Sequence, residues 1–216
     1  MAMTDTPTTT SSDAPVLTFK RRTIDSFLIS LGVVATVVLV VAGALLNWGA
    51  SFSDDYVYDE LSSQNITFPP AEALEAEGRD DLMKFAGVQV TTGEHAEAYA
   101  SYIDGHLQET AGGMTYAELG TPERAARGAL ETAIADGADD ATIADLQAEL
   151  DEVSGQRNTL FKGETLRGLL LSAFAWSTVG QIAGYAALGA FIAAGVMAVL
   201  VVLGLRHHHK VVVMES

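Results

Sequence analysis

Three residues of this chain have types and spacing that could support metal chemistry. His106 and Glu109 are three residues apart and would share one face of a helix, and His95 lies about three helical turns before His106. Two histidines and one carboxylate form the ligand set of non-haem iron sites. The ligands are nevertheless widely spaced along one segment, which Gly105 interrupts. We therefore expect an exposed helical surface without a metal.

A second group, His207 to His209, lies between Arg206 and Lys210. It could bind a metal, or hold anionic lipid more tightly as the pH falls, but we favour the basic end of a membrane span. The sequence has no glycine-rich phosphate loop, no G-x-S-x-G elbow and no H-E-x-x-H pair. It has no cysteine, which excludes disulfides and thiol catalysis. We expect neither enzymatic activity nor a cofactor.

Two charge-free apolar runs indicate a membrane protein. The first, residues 27–46, contains 20 residues, which is enough for one span. The second, residues 168–205, contains 38 residues. As one helix it would be about 57 Å long, whereas a bilayer core is about 30 Å thick. We predict that residues 180–205 cross the membrane and that residues 168–179 form an apolar stalk outside it, covered by the module, the first helix or another protein.

Acidic residues concentrate between the two runs. Residues 49–167 contain 24 Asp or Glu and only 7 Lys or Arg, which makes this segment a water-facing module. The acidity argues against nucleic acid as a partner. The predicted organisation is a disordered cytoplasmic tail (1–22), transmembrane helix 1 (23–48), the acidic module (49–167), a long helix that is first stalk and then transmembrane helix 2 (168–205), and a cytoplasmic tail (206–216).

Basic residues beside the runs predict the orientation. Lys20 to Arg22 precede the first run, and Arg206 to Lys210 follow the second. Because such residues mark the cytoplasmic side, we expect both termini inside and residues 49–179 outside. Trp48 and Trp176 would lie at the outer headgroup level, in agreement. The first run is longer than the 7–15-residue core of a signal peptide, so we expect a retained span.

The module is predicted to be mostly helical. Residues 94–109 have an apolar face at helical spacing, and Thr121-Pro122 is typical of a helix start, with Thr121 as N-cap. A later acidic helix carries one apolar stripe, for which we favour packing within the module over pairing with another subunit: Ile143, Leu146, Leu150 and Val153. Residues 85–92 are the best strand candidate.

Small residues recur along the second span. Gly180 and Gly184 form a G-x-x-x-G pair, and alanines follow at four-residue intervals at Ala186, Ala190 and Ala194. Small residues in register let another helix approach closely. We expect the two spans to pack against each other, and self-association through the remaining face is the alternative.

Three segments resemble a family of small two-span membrane proteins of actinobacteria. They are "LSSQNIT" (61–67), "HLQETAGGMTYAELG" (106–120) and "QRNTLFKGETLRGLLLSAFAWSTVG" (156–180). The resemblance covers most of residues 62–180, and the matching positions are His106, Gly113, Thr115, Tyr116, Ala117, Glu118, Leu119, Arg157, Asn158, Leu166 and Arg167. Met114 replaces the usual lysine, and residues 121–153 form an additional acidic insertion.

The resemblance implies an envelope protein whose motif segments fold together beside the membrane, with Arg157 and Arg167 available to pair with carboxylates. Members often carry the label "aromatic ring-opening dioxygenase", which would imply ferrous iron in a soluble fold. We set that label aside because the sequence lacks the strand content and the ligand set of such a fold. The expected interaction residues are Thr115, Tyr116, Glu118, Arg157, Asn158, Arg167 and Trp176.

These observations favour a mainly α-helical, non-enzymatic membrane protein. We expect it to be an accessory or interaction subunit of a cell-envelope complex, in contact with the lipid bilayer and with a membrane-protein partner or a second copy of itself. A module that binds a metal or a small ligand is the alternative.

Overall fold

A computed structural model describes residues 21–214; most of the predicted N-terminal tail lies outside this range. About 84% of the described residues are helical, and they contain no strand. The elements are α1 (Arg21–Ser63), α2 (Ala71–Ala76), a 3-10 helix (Asp80–Phe85), α3 (Gly93–Thr110), α4 (Gly120–Ala135) and α5 (Asp140–Met214).

Helices α1 and α5 are both long and apolar enough to cross a membrane. Their most apolar stretches are largely exposed, with only 11% of each buried. A core helix of a soluble protein would be mostly buried, so these faces match a lipid environment better than a protein interior.

Neither helix breaks at the predicted edge of the module. The segment after the first span, residues 53–61, continues α1 to Ser63. Helix α5 runs from the acidic insertion through the second apolar run and over residues 206–214 of the predicted tail. Residues 140–214 contain no proline, and proline is the residue that most strongly interrupts a helix.

One compact unit consists of residues 21–43 and 189–214. Here α1 and α5 pack closely at glycines: a Cβ atom added to Gly43 would lie 2.9 Å from the Phe191 ring, and one added to Gly32 would lie 2.7 Å from Val201. Because the earlier glycine meets the later partner, the two helices are antiparallel. Small residues at these positions permit the close approach.

The second compact unit consists of residues 44–188 and has its own apolar core. Its largest fully buried side chains are Phe68, Leu74, Val90 and Leu119. The main cluster also includes Leu170 of α5, so this helix supplies part of the core. The unit thus buries its apolar side chains between α1, α3, α5 and the connecting segments.

Helices α4 and α5 form a hairpin within this unit. Asp139 caps α5: its Oδ1 atom accepts hydrogen bonds from the backbone N–H of Ala141 and Thr142 at 3.1 and 3.0 Å. The apolar stripe packs within the module as predicted. Leu150 is buried against α4, with Ile143 and Leu146 beside it, and Val153 joins the neighbouring cluster.

The predicted strand at residues 85–92 is wrong. Phe85 ends the 3-10 helix, Gly87 adopts a φ of 68°, and only one isolated antiparallel bridge forms, between Thr67 and Gln89. A longer ladder is blocked because Pro69 and Pro70 have no backbone N–H to donate. The alternating pattern reflects the burial of Val90 rather than a sheet.

Helix α3 matches its prediction closely, with Thr92 as its N-cap. The predicted start of α4 is wrong by two residues. The helix begins at Gly120 because the preceding turn is already wound: the N–H of Leu119 donates to the carbonyl of Thr115 at 3.1 Å. Pro122 therefore lies in the first turn, where its missing N–H leaves no helical bond unmade.

Candidate functional site

The residue 44–188 unit contains a groove of about 550 Å³ between α1, α3 and α5. Helix α1 contributes one wall with Val57 and Leu61, and α5 contributes another with Leu170 and Ala173. The complete lining is Tyr56, Val57, Glu60, Leu61, Gln64, Ile66, Tyr99, Ile103, Leu166, Leu169, Leu170, Ser172, Ala173 and Trp176. An apolar cavity of this size with few polar groups is typical of a small-ligand site.

Small residues bring the helices together beside the groove. Ser53 is buried, and its hydroxyl donates a 2.6 Å hydrogen bond to the backbone carbonyl of Trp176. A Cβ atom added to Gly180 would lie 2.8 Å from that of Ser53. The start of α3 is held equally closely, since Gly93 packs directly on Ser177. These contacts fix the spacing of all three helices around the groove.

Aromatic side chains extend the surface of the groove along α1. Trp48, Phe52 and Tyr56, which we call the aromatic row, stack at centroid distances of 5.9 and 6.1 Å. All three are exposed, Trp48 by 68%. Because Tyr56 also lines the groove, the row and the groove form one continuous surface.

Helix α5 exposes apolar side chains beside the same groove. Leu169, Trp176 and Val179, which we call the outer face, are 64%, 51% and 56% exposed. The opposite side of this segment is covered, since Leu170 and Ser177 are buried. The predicted stalk is therefore covered on one side by its own chain and open on the other.

Two of the predicted interaction residues, Tyr116 and Arg157, contact each other near the start of α4. The Arg157 guanidinium lies 4.2 Å above the centre of the Tyr116 ring, and its Nε donates to the Tyr116 carbonyl at 3.3 Å. Its Nη1 also pairs with Glu123 at 2.6 Å. This hydrogen bond, together with one from Ser154, lowers the pKa of the Glu123 carboxyl. The cluster ties α4 to α5.

The remaining motif residues stabilise local structure. The N–H and the hydroxyl of Thr115 both donate to Glu118 at 2.8 Å, which lowers the pKa of that carboxyl. Arg167 lies 3.5 Å from Asp104 of α3 and 3.1 Å from Glu164. Both predicted arginines thus pair with carboxylates, whereas Asn158 is exposed.

The structure gives His95 and His106 different surroundings. The His95 ring packs edge-on against Phe85, and its Nδ1 accepts a 3.3 Å hydrogen bond from the N–H of Thr91. The His106 ring lies near Glu77, with 3.9 Å between Nε2 and Oε1. Glu109 is exposed. Within residues 23–207, whose side chains the structure describes, no three His, Asp or Glu side chains come close enough to hold a metal ion.

The small residues of α5 are only partly in the helix contact. Gly180 and Ala194 are buried, and Ala190 is half-buried. A Cβ atom added to Gly184 would lie 3.7 Å from the Cβ atom of Ala50. Ala186 is exposed, and Ala187 is buried instead. A four-residue repeat advances about 40° per step around a helix of 3.6 residues per turn. The alanine row therefore crosses the contact line at an angle, with Ala186 off the line and Ala194 on it.

Sequence patterns identified only parts of the groove. Tyr99 and Ile103 belong to the predicted apolar face of α3, and Trp176 was expected at the membrane surface. Tyr56 and Glu60 carried no such signal, because the sequence of residues 53–61 is compatible with either a short strand or a helical continuation of the first span.

Comparison with known proteins gives no significant match to a family model, a curated protein or a solved structure. The family resemblance therefore stays a prediction, and the geometry of the groove, the aromatic row and the outer face is the basis for a functional proposal.

Proposed function

We propose that this chain is a two-span membrane protein that serves as a non-enzymatic interaction subunit of a cell-envelope complex. In this proposal both termini lie in the cytoplasm and the acidic module lies outside. The partner is another membrane protein, which contacts the outer face and the aromatic row.

The length of the exposed apolar surface carries the proposal. On α5, large exposed apolar side chains extend from Leu166 to Leu205. These 40 residues correspond to about 60 Å of helix, about twice the thickness of a bilayer core. Lipid can cover only about half of this length. The remainder is an exposed apolar patch of the kind that marks an interaction site.

The position of the outer face favours a membrane protein as the partner. Val179 is followed by a charge-free run to Leu205, so a partner seated on the outer face can continue along the span. Trp176 and Trp48 supply aromatic surface, which is enriched in protein interfaces and at membrane boundaries. A soluble partner could not contact the part of this surface that continues into the membrane after Val179.

The experiment is purification of the tagged full-length chain from its native membrane in mild detergent. Leu169→Gln places an amide on the outer face, and Ile134→Gln makes a matched change at an exposed apolar residue of α4. We expect a stoichiometric membrane protein with wild type and Ile134→Gln and its loss with Leu169→Gln. Equal recovery with all three chains, or no partner with any of them, would overturn the proposal.

A metal-binding module is the alternative that the histidines raised. His95 and His106 have different neighbours, and Glu109 is exposed, so no observation favours this role over the interaction surface. Metal analysis of the same purified samples tests it directly. A stoichiometric metal that His106→Ala removes would revive the alternative.

A further inference from the structure

We infer that the groove binds one acyl chain of a phospholipid whose headgroup carries an ammonium group. This inference rests on the membrane location proposed above, but it does not require the protein partner. Three observations support it: the size and lining of the groove, its position along α1 and α5, and the charge of its polar end.

The size and the lining suit a single apolar chain. Val57, Leu61 and Leu170 are buried in the walls, and the groove has a volume of about 550 Å³. Two turns of a partner helix, about 10 Å across, would fill roughly 850 Å³. A flexible acyl chain can therefore lie within the groove, whereas a helix could place only part of its width there.

The position of the groove gives it access to lipid. Trp176 lines one end, and from there α5 continues as a charge-free apolar run. On α1, the lining begins at Tyr56, two turns after Trp48. Because tryptophan prefers the headgroup level, this end of the groove opens at the membrane surface, where a lipid can enter it.

The polar end of the groove selects the headgroup. Glu60 and Gln64 line it near the end of α1, and among the described residues no Lys or Arg lines the groove. A carboxylate repels a lipid with net negative charge and attracts an ammonium group. The aromatic ring of Tyr56, one helical turn before Glu60, adds a surface to which ammonium groups bind. The headgroup is thus placed at Glu60, with the chain directed toward Trp176.

The test uses Trp176 as its reporter. The chain has two tryptophans, so Trp48→Phe leaves Trp176 as the sole tryptophan. The purified full-length chain in detergent is titrated with lysophosphatidylcholine brominated on its acyl chain, which quenches tryptophan fluorescence on contact. We expect saturable quenching at about one lipid per chain, and about tenfold weaker binding of lysophosphatidylglycerol with the same chain.

Matched substitutions separate groove binding from general contact with lipid. Ala173 lines the groove, whereas Ala175 is exposed and does not. We expect Ala173→Phe to weaken binding at least tenfold, by displacing about two methylenes of the chain, and Ala175→Phe to leave it unchanged. Ser172→Phe, at an exposed lining position, gives the same loss if Ala173→Phe does not fold.

Three results would overturn the inference. They are quenching that rises without saturation equally in all variants, tighter binding of the anionic lipid, and a change of oligomeric state with Ala173→Phe while quenching persists. The last would assign the groove to a second copy of the chain. If Leu169→Gln loses the partner but the wild-type chain binds no lipid, only this inference fails. If alkaline carbonate extracts the chain from membranes, both proposals fail.

Discussion

Arg157 donates from Nη1 to Oε2 of Glu123 at 2.6 Å, and it does so while its guanidinium covers the Tyr116 ring. One side chain of α5 therefore holds both α4 and the turn that precedes it. The pair lies in the acidic module, residues 49–167, which contains 24 Asp or Glu, so other carboxylates are available to an arginine. The aromatic ring fixes the guanidinium, so the ion pair forms with Glu123.

Acidification should weaken this pair. Because the Arg157 hydrogen bond lowers the pKa of Glu123 in the folded protein, its stabilisation is present above the pKa of an unfolded glutamate, about 4.3, and is lost as the pH falls through the lower folded-state pKa. We expect Glu123→Gln to lower the Tm at pH 7 and to differ little from wild type once the pH has fallen below the folded-state pKa of Glu123.

The control for this measurement is Glu131→Gln, which makes the same change at an exposed residue of the same helix. Thermal unfolding of all three chains is followed in detergent over a series of pH values from 7 downward. A Tm difference between Glu123→Gln and wild type that persists at low pH would contradict the assignment of this pair.

Gly180 should tolerate no side chain. Its added Cβ lies 2.8 Å from that of Ser53, so Gly180→Ala forces the α1 and α5 backbones apart. We expect a loss of about 1–3 kcal/mol in the free energy of unfolding. Gly168 lies in the same helix with nothing within 4 Å of its added Cβ. Gly168→Ala should therefore stabilise by up to about 1 kcal/mol through helix propensity. A fall in Tm with both variants would argue against this close contact.

The α4–α5 hairpin should depend on Leu150. This side chain is only 8% exposed and packs against Ala126 and Leu130. We expect Leu150→Ala to cost about 2–5 kcal/mol, seen as faster hydrogen exchange of the α4 amides. Ile134→Ala removes an exposed side chain and should change stability by no more than about 0.5 kcal/mol. Unchanged exchange in Leu150→Ala would place the hairpin core elsewhere.

The orientation can be measured directly because the chain has no cysteine. A membrane-impermeant maleimide should label Glu131→Cys in intact cells, since α4 belongs to the external module in the proposed topology. Ser11→Cys, before the basic residues 20–22, should react only after the membrane is permeabilised. Labelling of Ser11→Cys in intact cells would reverse the proposed orientation.

The sequence predicted the elements whose pattern is local. The apolar face of α3 and the stripe at Ile143, Leu146, Leu150 and Val153 follow from helical spacing alone, and both are present. The strand at 85–92 failed because its pairing with residues 66–69 is too short to form a ladder, and Pro69 and Pro70 have no backbone N–H to extend it. Local alternation could not reveal that restriction.

The groove could not be predicted because it is a product of packing. Its lining extends from Tyr56 to Trp176 and includes no motif that a single segment would display. The small-residue pattern of α5 illustrates the same difficulty at finer scale. Ala186 fits a four-residue repeat but is exposed. The contact between the helices follows the period of 3.6 residues per turn, so Ala187 is buried instead.

The Ser53 hydroxyl and the Trp176 carbonyl are separated by 123 residues of chain. At a synthesis rate of about 5–20 residues per second, Ser53 is made roughly 6–25 s before its partner Trp176. During this interval the face of α1 around Ser53 has no partner within its own chain. Assembly of the nascent protein therefore begins with a first helix whose partner has not been made. Any other helix that packs on this face early competes with correct folding.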